Sequence, residues 1–238
     1  MTSLKYDERY ALRILAVGAH PDDVELGCGA TLKLFRNKGH EVYILVLTRG
    51  EASGNPKIRE KECTISAKEL CVNDIFFANL SDRKITDGYE TISEIEDVLD
   101  ITKPDLVLAH GIKDGHQDHR NAGRSTLSAT RNINKVLLYE SPAAMRDFIP
   151  QVFIDVTSTF DSKLKALESF GSQVSKIYFK GNENVPHSKY DEARHFPHVS
   201  NAIEGLARYR GFQAGVPFAE AFEVGKFVWD IEKAVNKK

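Results

Sequence analysis

Short unbroken apolar runs recur along this 238-residue chain, each too short for a helix of its own and most of them followed by residues at helical spacing. The first, residues 14–19, reads Ile-Leu-Ala-Val-Gly-Ala. A run without polar alternation suits a strand covered on both faces, as parallel strands are. Further runs stand at residues 41–47, 74–78, 105–109, 135–139 and 152–155. Between them, Leu26, Ala30 and Leu34 repeat up to a stop at Gly39, and Cys63, Ala67 and Leu70 share a face of residues 57–70. Ile92, Ile95 and Leu99 mark a helix ending before Pro104, another opens at Asp118 or His119, and Phe160, Leu164, Leu167 and Phe170 mark one more. The alternation predicts an α/β fold: a Rossmann-like three-layer sandwich with a mostly parallel sheet. No Pro/Gly/Ser-rich linker divides the chain, so residues 1–238 are expected to form one domain.

Two polar clusters follow apolar runs directly. His20-Pro21-Asp22-Asp23 comes after the first run, and residues 110–119 (His-Gly-Ile-Lys-Asp-Gly-His-Gln-Asp-His) come after the run at 105–109. In open α/β sheets, ligands collect at the carboxyl ends of strands. Histidine and carboxylate are ordinary zinc ligands, and a spare carboxylate beside them can act as a general base. His20 with one Asp and one His would supply the three protein ligands of a catalytic zinc. The plainer reading of the first cluster is a helix N-cap, a place Asp favours. For the second it is a solvated turn. Two such clusters at strand ends favour a shared cleft.

Composition narrows the partners. A net charge of −2 gives no reason to expect nucleic acid or an anionic membrane. No run reaches the roughly 18 apolar residues of a membrane span, and the polar start lacks the apolar core of a signal peptide. Cys28, Cys63 and Cys71 form no CxxC pair, which predicts free thiols and a cytoplasmic protein. Gly18, Gly27 and Gly29 do not make the G-x-G-x-x-G turn of a dinucleotide site.

Ala-His-Pro-Asp-Asp-Val-Glu, with His-x-Asp-His at residues 116–119, resembles the LmbE/PIG-L family of zinc-dependent N-deacetylases. Supporting similarity runs through residues 47–51, Arg59-x-x-Glu62, Gly211 and residues 219–222. The resemblance implies that His20, Asp23 and His119 hold one Zn2+, other divalent metals being possible. It makes Asp22 the general base and His116 the group that stabilises the oxyanion or protonates the leaving amine. Asp118 would orient His116, Arg59 would contact substrate, and Tyr209 is the candidate for a tyrosine near the oxyanion. Residue by residue, Arg59 could instead form a surface helix salt bridge with Glu62, and Tyr209 could simply pack on a C-terminal helix.

The expected activity is removal of an acetyl group from a small N-acetylated sugar or glycoconjugate. The alternatives are hydrolysis of another amide or of a phosphoester, and a sugar- or metal-binding protein without turnover. His187, His195 and His198 fall in a segment that could reach over the cleft. Residues 227–229 read as an edge strand or part of a homo-oligomer contact.

Overall fold

The computed structural model describes residues 11–173 and 199–228. His187, His195, His198 and Trp229 therefore lie outside the described residues. The strands are β1 (Arg13–Gly18), β2 (Glu41–Thr48), β3 (Asp74–Leu80), β4 (Leu106–His110), β5 (Lys135–Tyr139), β6 (Val152–Asp155) and β7 (Ala219–Phe227). The helices are α1 (Asp23–Asn37), α2 (Pro56–Glu69), α3 (Tyr89–Thr102), α4 (Gln117–Ala129), α5 (Phe160–Glu168) and α6 (Val199–Ala214).

The seven strands form one sheet in the order β3-β2-β1-β4-β5-β7-β6. The pairs β1–β2, β2–β3, β1–β4 and β4–β5 are parallel. β7 runs antiparallel to both β5 and β6, between them. The C-terminal run is thus an interior strand that begins at Ala219, not an edge strand at residues 227–229. β1 is the most deeply set: Ile14, Leu15, Ala16 and Val17 are all 0% exposed. Its alternate residues feed two cores. Ile14 and Ala16 pack with Val24, Phe160 and Ile203 on one face, and Leu15 and Val17 with Ile95, Leu99 and Ala122 on the other. Each such buried aliphatic side chain contributes roughly 1.5–3 kcal/mol. This is the predicted mostly parallel sandwich.

The strand order reverses at β1. From there the chain builds outward through β2 to β3, then crosses back to β4 on the other side of β1. The crevice between the carboxyl ends of β1 and β4 is the topological switch point, where ligands bind in open sheets. Both polar clusters lie there.

α1 is not one continuous helix. Cys28 leaves helical geometry (φ −145°, ψ 18°) and divides it into two segments. The neighbouring Gly27 has no Cβ because the Tyr139 ring occupies that space: a Cβ there would meet it at 2.1 Å. The kink separates Leu26 O from Ala30 N, the carbonyl and amide that an unbroken helix would join. Lys163 Nζ donates to Leu26 O at 2.8 Å, and Glu220 accepts from Ala30 N at 3.2 Å and Thr31 N at 2.7 Å. Lys163 and Glu220 pair with each other at 2.7 Å, both buried. A buried ion pair from α5 and β7 thus splices the helix that begins with the first motif.

Candidate active site

The turn after β1 is wound tightly. Thr48 holds its base, donating from both N and Oγ1 to Ala19 O (3.0 and 2.9 Å). Asp22 occupies the N-cap of α1, but in left-handed conformation (φ 106°, ψ −24°), and its side chain caps no amide. Such backbone costs on the order of 1–3 kcal/mol for a non-glycine residue. The N-cap explanation of this aspartate therefore does not describe it. Its carboxylate faces Arg59 Nη2 at 3.4 Å. Asp23, the first helical residue, is buried and accepts from His20 N at 2.7 Å.

His20, Asp23 and His119 come together. His20 Nδ1 lies 3.1 Å from Asp23 Oδ2, and His119 Nε2 lies 3.2 Å from Asp23 Oδ1. The far nitrogens face carboxylates. His20 Nε2 is 3.2 Å from both Asp82 Oδ1 and Asp118 Oδ2, and His119 Nδ1 is 3.2 Å from Asp114 Oδ1. This outer ring of carboxylates directs the opposite nitrogens toward Asp23, as carboxylate–histidine–metal arrangements do. The histidine and aspartate donors gathered here could hold a metal ion.

The groups of three compact enough to hold a metal ion are combined differently. Asp23–His110–His119, His20–His116–His119 and His20–Asp82–Asp118 each bring three ligand atoms within 4.8 Å of one another. The trio implied by the resemblance is not itself one of these sets, although each of its members belongs to at least one of them.

The electrostatics agree with a site built for positive charge. Burial opposes a proton on His20, but the charge of Asp23 and hydrogen bonds accepted by Asp118, Asp23 and Asp82 push its pKa up to about 12. His119 is likewise desolvated, yet Asp23 and Asp114 raise it to about 10. Asp23 is desolvated too, but His119, His110 and His20 hold it well below the usual carboxylate range. Burial, then the charge of Asp23, pushes Asp22 up to about 8 against the pull of Arg59.

His116 caps α4, its Nδ1 accepting from Asp118 N at 3.2 Å. An accepting Nδ1 leaves the ring proton of the neutral form on Nε2, as a donor. Its ring lies 4.9 Å from that of His20 and 4.5 Å from that of His119. The backbone of Asp118, not its carboxylate, holds this ring. The carboxylate is taken by His20 and by Arg83 N at 2.7 Å.

Arg59 lies beneath the turn and not over the cleft. It is 3% exposed and donates to Pro21 O (2.7 Å), Gly50 O (3.0 Å) and Ser53 Oγ (2.6 Å). Gly50 is left-handed (φ 65°), and a Cβ there would meet the guanidinium at 1.9 Å. Glu62, the suggested salt-bridge partner, instead accepts from Ser172. Both expectations for Arg59 are thus replaced by a third role, bracing the loop that carries Asp22. Arg59→Ala is expected to cost on the order of 3 kcal/mol, because it strands buried acceptors. It should lower kcat more than it raises KM. Urea unfolding and steady-state kinetics check this. Unchanged stability with only a raised KM would return Arg59 to substrate contact.

Tyr209 is also placed elsewhere. It is 54% exposed on α6, its hydroxyl accepts from Gln213 Nε2 at 3.4 Å, and Arg210 lies over its ring. None of these contacts is with the histidine–aspartate cluster. Conversely, His110, Asp82 and Asp114 belong to the cluster without having been assigned roles from sequence. His110, the last residue of β4, is fully buried with Nε2 3.1 Å from Asp23 Oδ2. Its position inside the second polar run was the available signal. Asp82, alone after β3, offered none.

The family profile PIG-L: GlcNAc-PI de-N-acetylase matches residues 15–130, which span both motifs. The uncharacterized deacetylase YaiS of Escherichia coli is 35% identical over 167 residues, covering 67% of this chain and 90% of that protein. Diacetylchitobiose deacetylase of Thermococcus kodakarensis is 29% identical over 186 residues, covering 68% of this chain and 70% of the relative. The crystal structure of the conserved protein TT1542 from Thermus thermophilus superposes with a TM-score of 0.75 at 26% identity, covering 89% of this chain and 93% of that one. The chain belongs to the PIG-L (LmbE-like) family of deacetylases, hydrolases of N-acetyl amide bonds.

Proposed function

We propose that this enzyme removes the acetyl group from an N-acetylated sugar, an N-acetylglucosamine conjugate by preference, with one Zn2+ held by His20, Asp23 and His119. The observation that carries the reading is the convergence of His20 Nδ1 and His119 Nε2 on the Asp23 carboxylate, each ring faced from behind by another carboxylate. The relative named for diacetylchitobiose supports the sugar class.

When bound, the cation supplies Lewis acidity to a water and to the amide carbonyl. Asp22 takes the proton of the attacking water as its oxygen bonds to the carbonyl carbon. His116 offers its Nε2–H to the oxygen that gains charge. The C–N bond then breaks, and the proton held by Asp22 passes to the departing nitrogen, giving acetate and a free amine. Arg59 holds the Asp22 turn throughout.

Acetate release and cation content, measured together on a panel of N-acetyl sugars, test the reading. Acetate and amine should appear in equal amounts, vanish on chelation and return with Zn2+. His119→Ala should lose both cation and turnover. A loaded protein that releases no acetate from any member of the panel would sink the sugar assignment, and a His119→Ala variant with full cation content would sink the ligand set. No helix among the described residues is long and apolar enough to cross a membrane.

A further inference from the structure

We infer that Asp114 is a positioning residue for cation binding, fixing His119 through Nδ1, and that Ser141 fixes Asp114 in turn. The inference rests on the proposed role of His119 as a ligand.

Asp114 is 1% exposed. Its Oδ1 accepts from His116 N at 2.7 Å and lies 3.2 Å from His119 Nδ1, a buried nitrogen that has no formed hydrogen bond and that this carboxylate faces at ion-pair distance. Its Oδ2 accepts from the Ser141 hydroxyl, whose oxygen in turn accepts from Ala143 N at 3.0 Å. Every partner of this carboxylate is thus anchored. The two loops that bear them are also zipped together. Gly115 N donates to Ala143 O at 2.9 Å, Met145 N donates to Lys113 O at 3.0 Å, and Asp114 bridges to Ala144. Both oxygens of the carboxylate are thereby held by partners.

A neutral imidazole carries a single N–H, and the group facing one nitrogen decides where that proton sits. A carboxylate against Nδ1 claims it, leaving the lone pair on Nε2. That nitrogen faces Asp23 Oδ1 at 3.2 Å. The opposite tautomer would aim an N–H at the place where a cation must bind. The same Oδ1 accepts the amide of His116, so one carboxylate sets the register of both histidines in the His-x-Asp-His run.

Zn2+ affinity measured by competition with a chromophoric chelator tests this. Asp114→Ala should weaken Zn2+ binding about 10- to 100-fold, the usual cost of losing such a partner. Asp114→Asn should recover most of that loss: its amide oxygen can accept from Nδ1–H, and its NH2 can donate to Ser141 Oγ. Ser141→Ala, which frees the carboxylate without removing it, should cost a few-fold and carries the test if Asp114→Ala does not fold. Thermal unfolding of the cation-free variants separates a general loss of structure from a loss of binding. Affinity for Zn2+ within about twofold of wild type in Asp114→Ala overturns the inference, or in Ser141→Ala where that variant carries the test. So does an Asn variant as weak as the Ala variant. A wild-type protein that binds no Zn2+ would instead overturn the ligand reading beneath it.

Discussion

Replacing Asp22 by asparagine is expected to lower kcat by about 10²–10⁴-fold while leaving cation content unchanged, the usual worth of a general base. The substitution isolates basicity unusually well. Asp22 sits at φ 106°, and asparagine tolerates the left-handed region at least as readily as aspartate, so the backbone is not further strained. The side chain caps no helix amide, so no capping interaction is lost. Arg59, the cation its carboxylate faces, keeps Pro21 O, Gly50 O and Ser53 Oγ as acceptors. Cation content should hold because Asp23, His20 and His119 meet without Asp22. Rapid-quench or steady-state acetate release, alongside metal analysis of the same sample, gives the answer. Normal turnover removes Asp22 from the base role, and loss of the cation makes it a ligand.

The largest effect on stability should come from Glu220. Glu220→Ala strands the Lys163 ammonium in a buried position and leaves Ala30 N and Thr31 N without acceptors. Breaking a buried pair by removing one partner costs about 3–5 kcal/mol, because an uncompensated charge remains. Lys163→Met in the Glu220→Gln background should be less harmful than the sum of the two single changes, since no charge is then left alone. Denaturant midpoints of the four proteins form the cycle. Additive losses would mean that the pair does not act as a unit. The splice lies on the helix that begins with Asp22 and Asp23, so Glu220→Ala should also blunt turnover, although Glu220 touches neither residue.

Some of this was plain in the sequence for a physical reason. β5 and β6 occupy the residues expected of them, and the two motifs fall at the ends of β1 and β4. A run such as Ile-Leu-Ala-Val signals its own burial, and ligand types placed behind it signal a rim. What stayed hidden depends on contacts distant in sequence. The spacing of Leu26, Ala30 and Leu34 runs smoothly across the Cys28 kink, because the groups that make the break tolerable come from residues 163 and 220. β7 was obscured by the buried charges of Glu220 and Glu223, which interrupt the apolar signal of an interior strand. Arg59 was placed near the right loop but on the wrong side of it, since sequence gives the rim and not the depth. Asp82 reaches His20 from a strand end without any motif of its own.

The place of β7 bears on how the protein comes into being. This strand follows every other described element in the chain, yet it lies inside the sheet, hydrogen-bonded on both edges. A nascent chain still short of residue 219 already holds both motifs, but β5 has an open edge and Glu220 is absent from the α1 break. The two halves of that sheet region cannot be joined during early synthesis; they wait for the final strand. An exposed edge in the meantime is a template for pairing with other chains. Expression of this protein should therefore be most vulnerable to aggregation when translation stalls late, and C-terminal truncations before β7 should yield insoluble material, not a smaller working enzyme.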